Sequence, residues 1–171
     1  MNSWPAAYIF VAMSREIAEE LTRVVNQAAD RLRKIDDAEA RVHPQPGKWS
    51  IKEIIGHLID SASNNHQRFV RAQLTDALSF PKYAQDEWVR SQAYQDCQWF
   101  ELVELWALYN RHLAHIIRHI PEKALAVECR IGPGEPVTLK FLIEDYLDHL
   151  QHHLRQIEER IALTSAPQKE H

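Results

Sequence analysis

The sequence predicts an all-α protein with a four-helix bundle, and three observations support that fold class. The chain has 171 residues, which matches one ordinary domain of about 100–200 residues. It is 45% hydrophobic and 26% charged and has only four glycines, a composition typical of a globular chain. Four segments of roughly 20 to 25 residues each show one apolar stripe at helical spacing. Such helices bury their stripes most simply against one another.

The first helix is predicted from about Ser14 to Ile35, where apolar side chains recur at helical spacing. Residues 1–13 are interpreted as an N-terminal extension of a domain that covers residues 14–163. The stretch from Trp4 to Met13 is apolar, but it lacks a basic flank and is shorter than the ~20 residues of a membrane span. We therefore expect no transmembrane segment there.

The second helix has a clear start signal. Ser50 and Glu53 form an S-x-x-E capping box, which satisfies free backbone N–H groups at a helix N-terminus. From this start the helix is predicted to run to about Leu74. Residues 75–96 show no sustained period, so they are predicted to form a long connection with a short helix around residues 87–91. Long loops of this kind often border functional sites.

The remaining elements follow in order. A third helix is predicted from about Gln98 to Ile120, ending at Pro121, because proline cannot continue a helix interior. Residues 127–137 contain two short apolar segments around a Gly-Pro-Gly turn and predict a small hairpin before the last helix. The fourth helix is predicted over residues 138–163, and residues 164–171 form a polar C-terminal tail.

Charge and cysteine content exclude several function classes. The 24 acidic residues outnumber the 20 basic ones, giving a net charge of −4, so no basic surface for nucleic acid or an anionic membrane is expected. The two cysteines, Cys97 and Cys129, are too few for a disulfide-stapled secreted module. A reducing cytoplasm is therefore the expected location. Cys97 and Cys129 are interpreted as small apolar residues, although Cys129 on the hairpin lies where it could approach a pocket.

The ten histidines are the unusual feature of the composition. In the fourth helix, a helical wheel centred on Leu150 places His149 and His153 together at one edge of the apolar stripe. Their i,i+4 separation stacks two imidazoles one turn apart, as two ligands of one metal ion require. The same wheel places His152 on the opposite, solvent-facing side.

The second helix supplies a third candidate. His57 lies on a flank of its buried stripe, in line with Ser61 and Arg68, and Asn65 lies closer still to the core. Buried polar groups are costly unless they are paired or bound, so this strip indicates a pocket inside the bundle. Combined with the pair on the fourth helix, His57 completes a three-histidine metal site with positions left open for water or substrate.

The third helix also carries histidines at helical spacing, but on its outer face. His112, His115 and His119 lie opposite the stripe centred on Trp106, so they are interpreted as a solvated face or a contact surface. The motifs of nucleophile-elbow hydrolases, phosphate-binding loops and dinucleotide-binding folds are absent from the sequence. These chemistries therefore lack their usual sequence motifs in this chain.

Two segments resemble a known family. The run from Trp49 to Ser61, followed by Asn65 and Arg68, is similar to the second helix of the DinB-like superfamily, in particular its YfiT-like branch. The segment from Asp148 to Ile157 is similar to the last-helix motif of that family. The resemblance implies a four-helix bundle that binds a divalent metal, usually zinc or nickel, often as a homodimer. The positions that it matches to metal ligands are those of His57, His149 and His153.

The resemblance also implies chemistry. Characterised members include transferases that use a low-molecular-weight thiol such as bacillithiol, mycothiol or glutathione, and others are described as metal-dependent hydrolases. We expect a thiol co-substrate transferred to an electrophile to be favoured over hydrolysis by water. Asn65 and Arg68 are then expected to orient a carboxylate or amide of a small-molecule substrate, and Tyr83 or Trp88 to cover it.

Two further interpretations belong to different classes. The chain is also compatible with a non-catalytic bundle that binds a metal or senses a small molecule, because no general base is fixed by the motif. A structural dimerisation bundle without metal, in which the histidines fill polar gaps, is the third interpretation.

Overall fold

The predicted four-helix bundle is confirmed by the computed structural model, which describes the backbone of residues 6–165 and the side chains of residues 14–162. Its four long helices are the first, third, fifth and last of seven, and short elements connect them. In chain order the elements are α1 (Ala6–Leu32), α2 (Asp37–Ala40), α3 (Ile51–Ala72), β1 (Ala77–Phe80), α4 (Gln85–Ser91), α5 (Trp99–Arg118), α6 (Glu122–Leu125), β2 (Glu128–Ile131), β3 (Val137–Thr138) and α7 (Leu139–Ser165).

The ends of the bundle differ from the sequence expectation. Residues 6–13, interpreted as part of an extension, are helical and continue α1 toward the N-terminus. Their sequence contains three alanines and Met13, which are strong helix formers. At the other end α7 continues to Ser165, two residues beyond the predicted limit. Residues 1–5 of the predicted extension and residues 166–171 of the predicted tail lie outside the described residues.

The start of α3 is confirmed atom by atom. The Ser50 hydroxyl accepts a hydrogen bond from the backbone N–H of Glu53 at 3.2 Å, and the Glu53 carboxylate accepts one from the backbone N–H of Ser50 at 2.7 Å. The helix ends at Ala72 rather than at Leu74. Leu74 is 82% exposed, so no packing continues the helix that far.

The core lies between the four long helices. α5 packs against both α1 and α3, and α3 packs against α7. The predicted apolar stripes face one another there, and the largest of their fully buried side chains include Phe69, Trp106, Leu113 and Leu150. None of the helices in the described part of the chain is long and apolar enough to span a membrane.

A small sheet lies beside the bundle. The predicted hairpin is confirmed as β2 and β3, which pair antiparallel. β1 was not predicted; it pairs parallel with β2, with Leu78 opposite Cys129. The four residues of β1 have no clear alternation and their partner lies about fifty positions away, so the local pattern carried no signal for this strand. The predicted short helix in the connection is confirmed as α4.

The connection after β1 returns to lie directly on α3. The ring of Tyr94 occupies the place that a side chain at position 56 would need: a Cβ added to Gly56 would lie 2.1 Å from Tyr94 Cδ2. Glycine is therefore required there by close approach, one residue before His57. This contact holds the segment that carries α4 over the polar strip of α3.

Candidate metal centre

The structure brings together the three histidines that the sequence selected. His57 comes from α3, whereas His149 and His153 lie one turn apart on α7. One ring nitrogen from each lies within 4.8 Å of one from each of the others, and the Nε2 atoms of His57 and His149 are 3.2 Å apart. In the described part of the chain this is the one group of three or more histidine, cysteine or acidic side chains with such geometry.

The surroundings keep these rings neutral. Burial, followed by the neighbouring His153 and His149, lowers the pKa of His57 to about 3. Burial and His149 lower the pKa of His153 to about 4, although its hydrogen bond to Gln156 acts in the opposite direction. The pKa of His149 is also lowered, mainly by burial. Neutral imidazoles have a free lone pair, which is the form that binds metal ions.

Hydrogen bonds around the cluster are few. His153 Nδ1 lies 3.0 Å from the side-chain oxygen of Gln156, so an N–H at Nδ1 leaves Nε2 free to bind a ligand. The Nδ1 atoms of His57 and His149 are buried without a hydrogen-bond partner. Buried polar atoms in this state are costly, and a ligand that orients the rings would offset part of that cost.

The other histidines lie where the wheels placed them. His152 is exposed, and its Nε2 lies 2.9 Å from the amide nitrogen of Gln156. His112, His115 and His119 are also exposed, along the outer face of α5. Histidines at helical spacing therefore behave differently in two parts of the bundle. Those on α7 converge with His57 of α3, whereas those on α5 form an exposed row.

A cavity of about 750 Å³ opens beside the cluster. His149 is among its lining residues, and the buried polar strip of α3 forms the part of the lining that we call its floor. Other residues that line it include Ser61, Asn65, Arg68, Tyr83 and Tyr146. The pocket predicted from the polar strip is therefore present, and it opens directly onto one of the three histidines.

The two residues expected to orient a substrate lie in this floor. Asn65 is 8% exposed and Arg68 is 9% exposed, and Arg68 Nη1 donates to Asn65 Oδ1 at 3.3 Å. The guanidinium carbon of Arg68 lies 5.4 Å from the centre of the Phe80 ring. Arg68 Nε is buried and has no hydrogen-bond partner.

Of the two aromatic residues expected at the mouth, only Tyr83 lines the cavity. Burial, as the main cause, raises the pKa of Tyr83 to about 12, so its hydroxyl keeps its proton near neutral pH. Trp88 packs against the Tyr83 ring, with the ring centres 5.0 Å apart. Cys129 does not line this cavity; it is fully buried in the sheet, and burial raises the pKa of its thiol.

Asp60 is a buried residue that the sequence analysis did not single out. Its Oδ1 accepts hydrogen bonds from the hydroxyl of Tyr94, at 2.6 Å, and from the side-chain amide of Gln92. Its Oδ2 is buried without a partner, and burial raises the pKa of the carboxyl group. Asp60 thus ties α3 to the segment that follows α4. The partners lie more than thirty positions away, so no spacing rule could have found them.

Comparisons with known proteins agree with this architecture. The family model described as the DinB superfamily matches residues 19–157, and no curated protein sequence matches the chain. Among solved structures, the chain is similar to YfiT from Bacillus subtilis, with a TM-score of 0.75 and 18% identity over 90% of this chain and 87% of that one. That protein is described as a probable metal-dependent hydrolase with an unusual four-helix bundle topology. At this identity the likeness concerns the fold alone.

Proposed function

The chain belongs to the DinB superfamily, and on that premise we propose that it is a hydrolase that depends on a divalent metal ion held by His57, His149 and His153. The observation that carries this proposal is the convergence of three neutral imidazoles from two helices, one of which, His149, lines a cavity. The structurally similar YfiT, described as a probable metal-dependent hydrolase, supports the same reaction class.

The residues fit a divalent cation of the zinc type. Zinc prefers nitrogen and sulfur ligands in a tetrahedral arrangement, and catalytic sites commonly keep three protein ligands and one open position. His57, His149 and His153 supply three nitrogens, and no carboxylate or thiol belongs to the described cluster. Nickel also accepts imidazole ligands, so the proposal covers zinc and nickel alike.

The protein side of the reaction follows from burial and hydrogen bonding. When bound, a divalent cation supplies Lewis acidity and a positive charge that favours an anionic nucleophile. The three histidines contribute neutral nitrogens, which leave that charge uncompensated. In the floor of the cavity Arg68 and Asn65 orient the substrate, and Tyr83 covers it with a protonated hydroxyl.

The expected transfer of a low-molecular-weight thiol stays a prediction. A three-histidine site accepts a soft sulfur ligand as well as water, but neither the fold comparison nor the cavity lining favours a thiol. The homodimer, the choice between zinc and nickel and the cytoplasmic location also stay predictions. Sedimentation of the purified protein and elemental analysis test the first two directly.

The proposed function is tested with a panel of esters and amides and metal-loaded protein. We expect hydrolysis that disappears with a chelator, returns with zinc or nickel, and is lost in His57→Ala. His152→Ala is the matched control, because His152 is exposed beside the cluster and should leave the rate unchanged. Each thiol with monobromobimane forms the second arm of the assay.

The two arms separate the candidate functions. Thiol conjugation that exceeds the His57→Ala background, with no ester or amide cleaved, would replace hydrolysis with thiol transfer. Bound metal without activity in either arm would favour the sensing bundle. Absence of stoichiometric metal in protein purified with zinc and nickel supplied would favour the structural bundle.

A further inference from the structure

A buried cation without a direct salt bridge lines the floor of the cavity. Arg68 is 9% exposed, yet among the described residues no carboxylate lies within salt-bridge distance of its guanidinium. Burial lowers the pKa of Arg68, although Tyr83 and Asp145 act in the opposite direction, and arginine stays charged in proteins. A buried charge is normally paired at close range. Asp145 is exposed and makes no salt bridge with Arg68, so the described residues meet this electrostatic requirement only in part.

The hydrogen-bond donors of Arg68 show the same deficit. A guanidinium carries five N–H groups in a fixed plane. The described structure gives Arg68 one hydrogen bond, the 3.3 Å contact from Nη1 to Asn65 Oδ1, and leaves Nε buried without a partner. The Phe80 ring, 5.4 Å from the guanidinium carbon, covers one part of the group. The donors that remain are held in place beside the cavity.

The exposed charged residues of the cavity lining, which we call its rim, indicate which kind of anion Arg68 would bind. Lys82 and Arg90 line the cavity together with Asp86, Glu87 and Asp145, and all five are exposed. This rim carries both signs and is screened by solvent, whereas the floor carries one buried positive charge. A single negative charge in a planar, bidentate group matches a single guanidinium. A polyanion such as a phosphate dianion would instead meet the acidic rim residues with too few buried cations.

We infer that Arg68, supported by Asn65, binds a carboxylate of the substrate. On the premise of the hydrolase proposed above, the substrate class is therefore a small ester or amide that also carries a carboxylate group. Asn65 holds the guanidinium in position through its side-chain oxygen, and Phe80 holds the plane of the group.

The helix sets the separation between the two ends of such a substrate. Asn65 lies eight residues beyond His57 in α3, which corresponds to about 12 Å along the axis at ~1.5 Å per residue. Arginine side chains in helices lean toward the N-terminus, and Arg68 accordingly reaches back to Asn65. The carboxylate and the bond to be cleaved are thus on the order of 10 Å apart.

The test uses metal-depleted protein, so that it reports on the anion site independently of hydrolysis. Hexanoate and its uncharged analogue hexanamide are titrated while the Arg68 Nε–H signal is followed by NMR. We expect hexanoate to shift this signal in a saturable manner and hexanamide to leave it unchanged. Binding to the variants is followed instead by the backbone N–H signal of Asn65, because the variants lack the arginine Nε–H. Arg68→Gln should weaken hexanoate binding about tenfold or more, as expected for hydrogen bonds to a charged group, with Arg68→Lys in between. Arg71→Gln is the matched control and should bind like the wild type, because Arg71 is exposed on the same helix and does not line the cavity.

Several results would overturn the inference. Equal binding of hexanoate and hexanamide, or no binding of either to the wild-type protein, would contradict a carboxylate site without reference to any variant. Inorganic phosphate that binds more tightly than hexanoate would replace the carboxylate with a phosphate group. Carboxylate binding can be present while ester hydrolysis is absent, so failure of the hydrolase proposal is recognised separately.

Discussion

The first turn of α3 and the middle of α3 both bury polar side chains, but they differ in what those side chains contact. In the first turn Lys52 is fully buried, and its Nζ lies 2.7 Å from the Asp37 carboxylate and donates to the backbone oxygens of Gln95, at 3.2 Å, and Cys97, at 2.6 Å. Its three donors therefore have three acceptors. The Ser50 hydroxyl also accepts a hydrogen bond from the side-chain amide of Gln95.

The middle of the helix is the opposite case. Buried atoms without a hydrogen-bond partner there include His57 Nδ1, Asp60 Oδ2 and Arg68 Nε. Arg68 lines the cavity, and His57 contacts His149, which also lines it. Asp60 ties α3 to the segment that follows α4. Polar groups that the protein satisfies itself contribute to folding, whereas unpaired buried groups beside a cavity or a histidine cluster are the positions where we expect a ligand. Substitutions in the two regions should therefore have opposite consequences.

The largest expected effect is on metal binding by the histidine cluster that joins the middle of α3 to α7. His153→Ala removes one of three proposed ligands and should weaken zinc binding by more than about 100-fold, because even outer-shell partners of a metal site are worth 10–100-fold. Competition with a chromophoric chelator measures this, and His149→Ala should behave alike. The adjacent His152→Ala and the remote His115→Ala are controls that retain the metal. Loss in His152→Ala with retention in His153→Ala would refute the assignment of the inward face of α7.

Metal removal should have the next largest effect, on stability. A ligand present at 100 times its dissociation constant stabilises the folded state by about 2.7 kcal/mol, which corresponds to a fall in Tm of roughly 5–10 °C on chelation for a chain of this size. Differential scanning calorimetry measures it. The outer-face variant His115→Ala/His119→Ala should show the same fall, and His57→Ala should show none. An unchanged Tm in protein proven free of metal would mean that the cluster does not cross-link α3 and α7.

Substitution in the first turn of α3 should have the opposite effect, lowering the stability of the metal-free protein without changing metal binding. Lys52→Met leaves the acceptors of Lys52 without their buried donor and should destabilise the fold by about 2 kcal/mol, as measured by urea unfolding of the metal-free protein. Metal affinity should stay unchanged, because Lys52 faces the connection before α5 and not the cluster. A variant that kept its stability but lost metal binding would erase the distinction between the two regions.

The smallest expected effect is on the pH dependence of stability, through the contact between Lys52 and Asp37. The hydrogen bond from Lys52, with a further one from Arg41, lowers the pKa of Asp37 to about 2. Because the folded-state pKa lies below the unfolded value, this carboxylate contributes stability above about pH 4, and the contribution is lost as the pH falls toward 2. The free energy of unfolding of metal-free Asp37→Asn should therefore fall less than that of the wild type as the pH is lowered from about 4 to about 2. Combining Asp37→Asn with Lys52→Met should add no further change in that pH range, and a full additional loss would show that the two groups act independently.

Elements of the fold that depend on neighbouring residues were predictable. The capping box of α3 needs only Ser50 and Glu53, three positions apart, and it formed as expected. The inward pair on α7 follows from one helical turn, and the exposed row on α5 follows from the same wheel. β1 escaped prediction because a four-residue strand gains its stability from β2, its distant partner. A lysine at position 52 likewise gives no local sign of burial, since its acceptors belong to another part of the chain.

The sequence by itself determined the four long helices, the stripe that each of them buries and the candidate histidines, because helical periodicity is a property of consecutive residues. Only the tertiary structure decided that His57 meets His149 across 92 positions and that Arg68 is buried with its Nε unpaired. It also decided that Lys52 is buried with three acceptors and that Asp60 accepts hydrogen bonds from Gln92 and Tyr94. These outcomes depend on which helices pack together, because packing decides which polar side chains lose their contact with water. A buried polar side chain then either forms hydrogen bonds within the protein or stays unpaired, where a ligand can bind it.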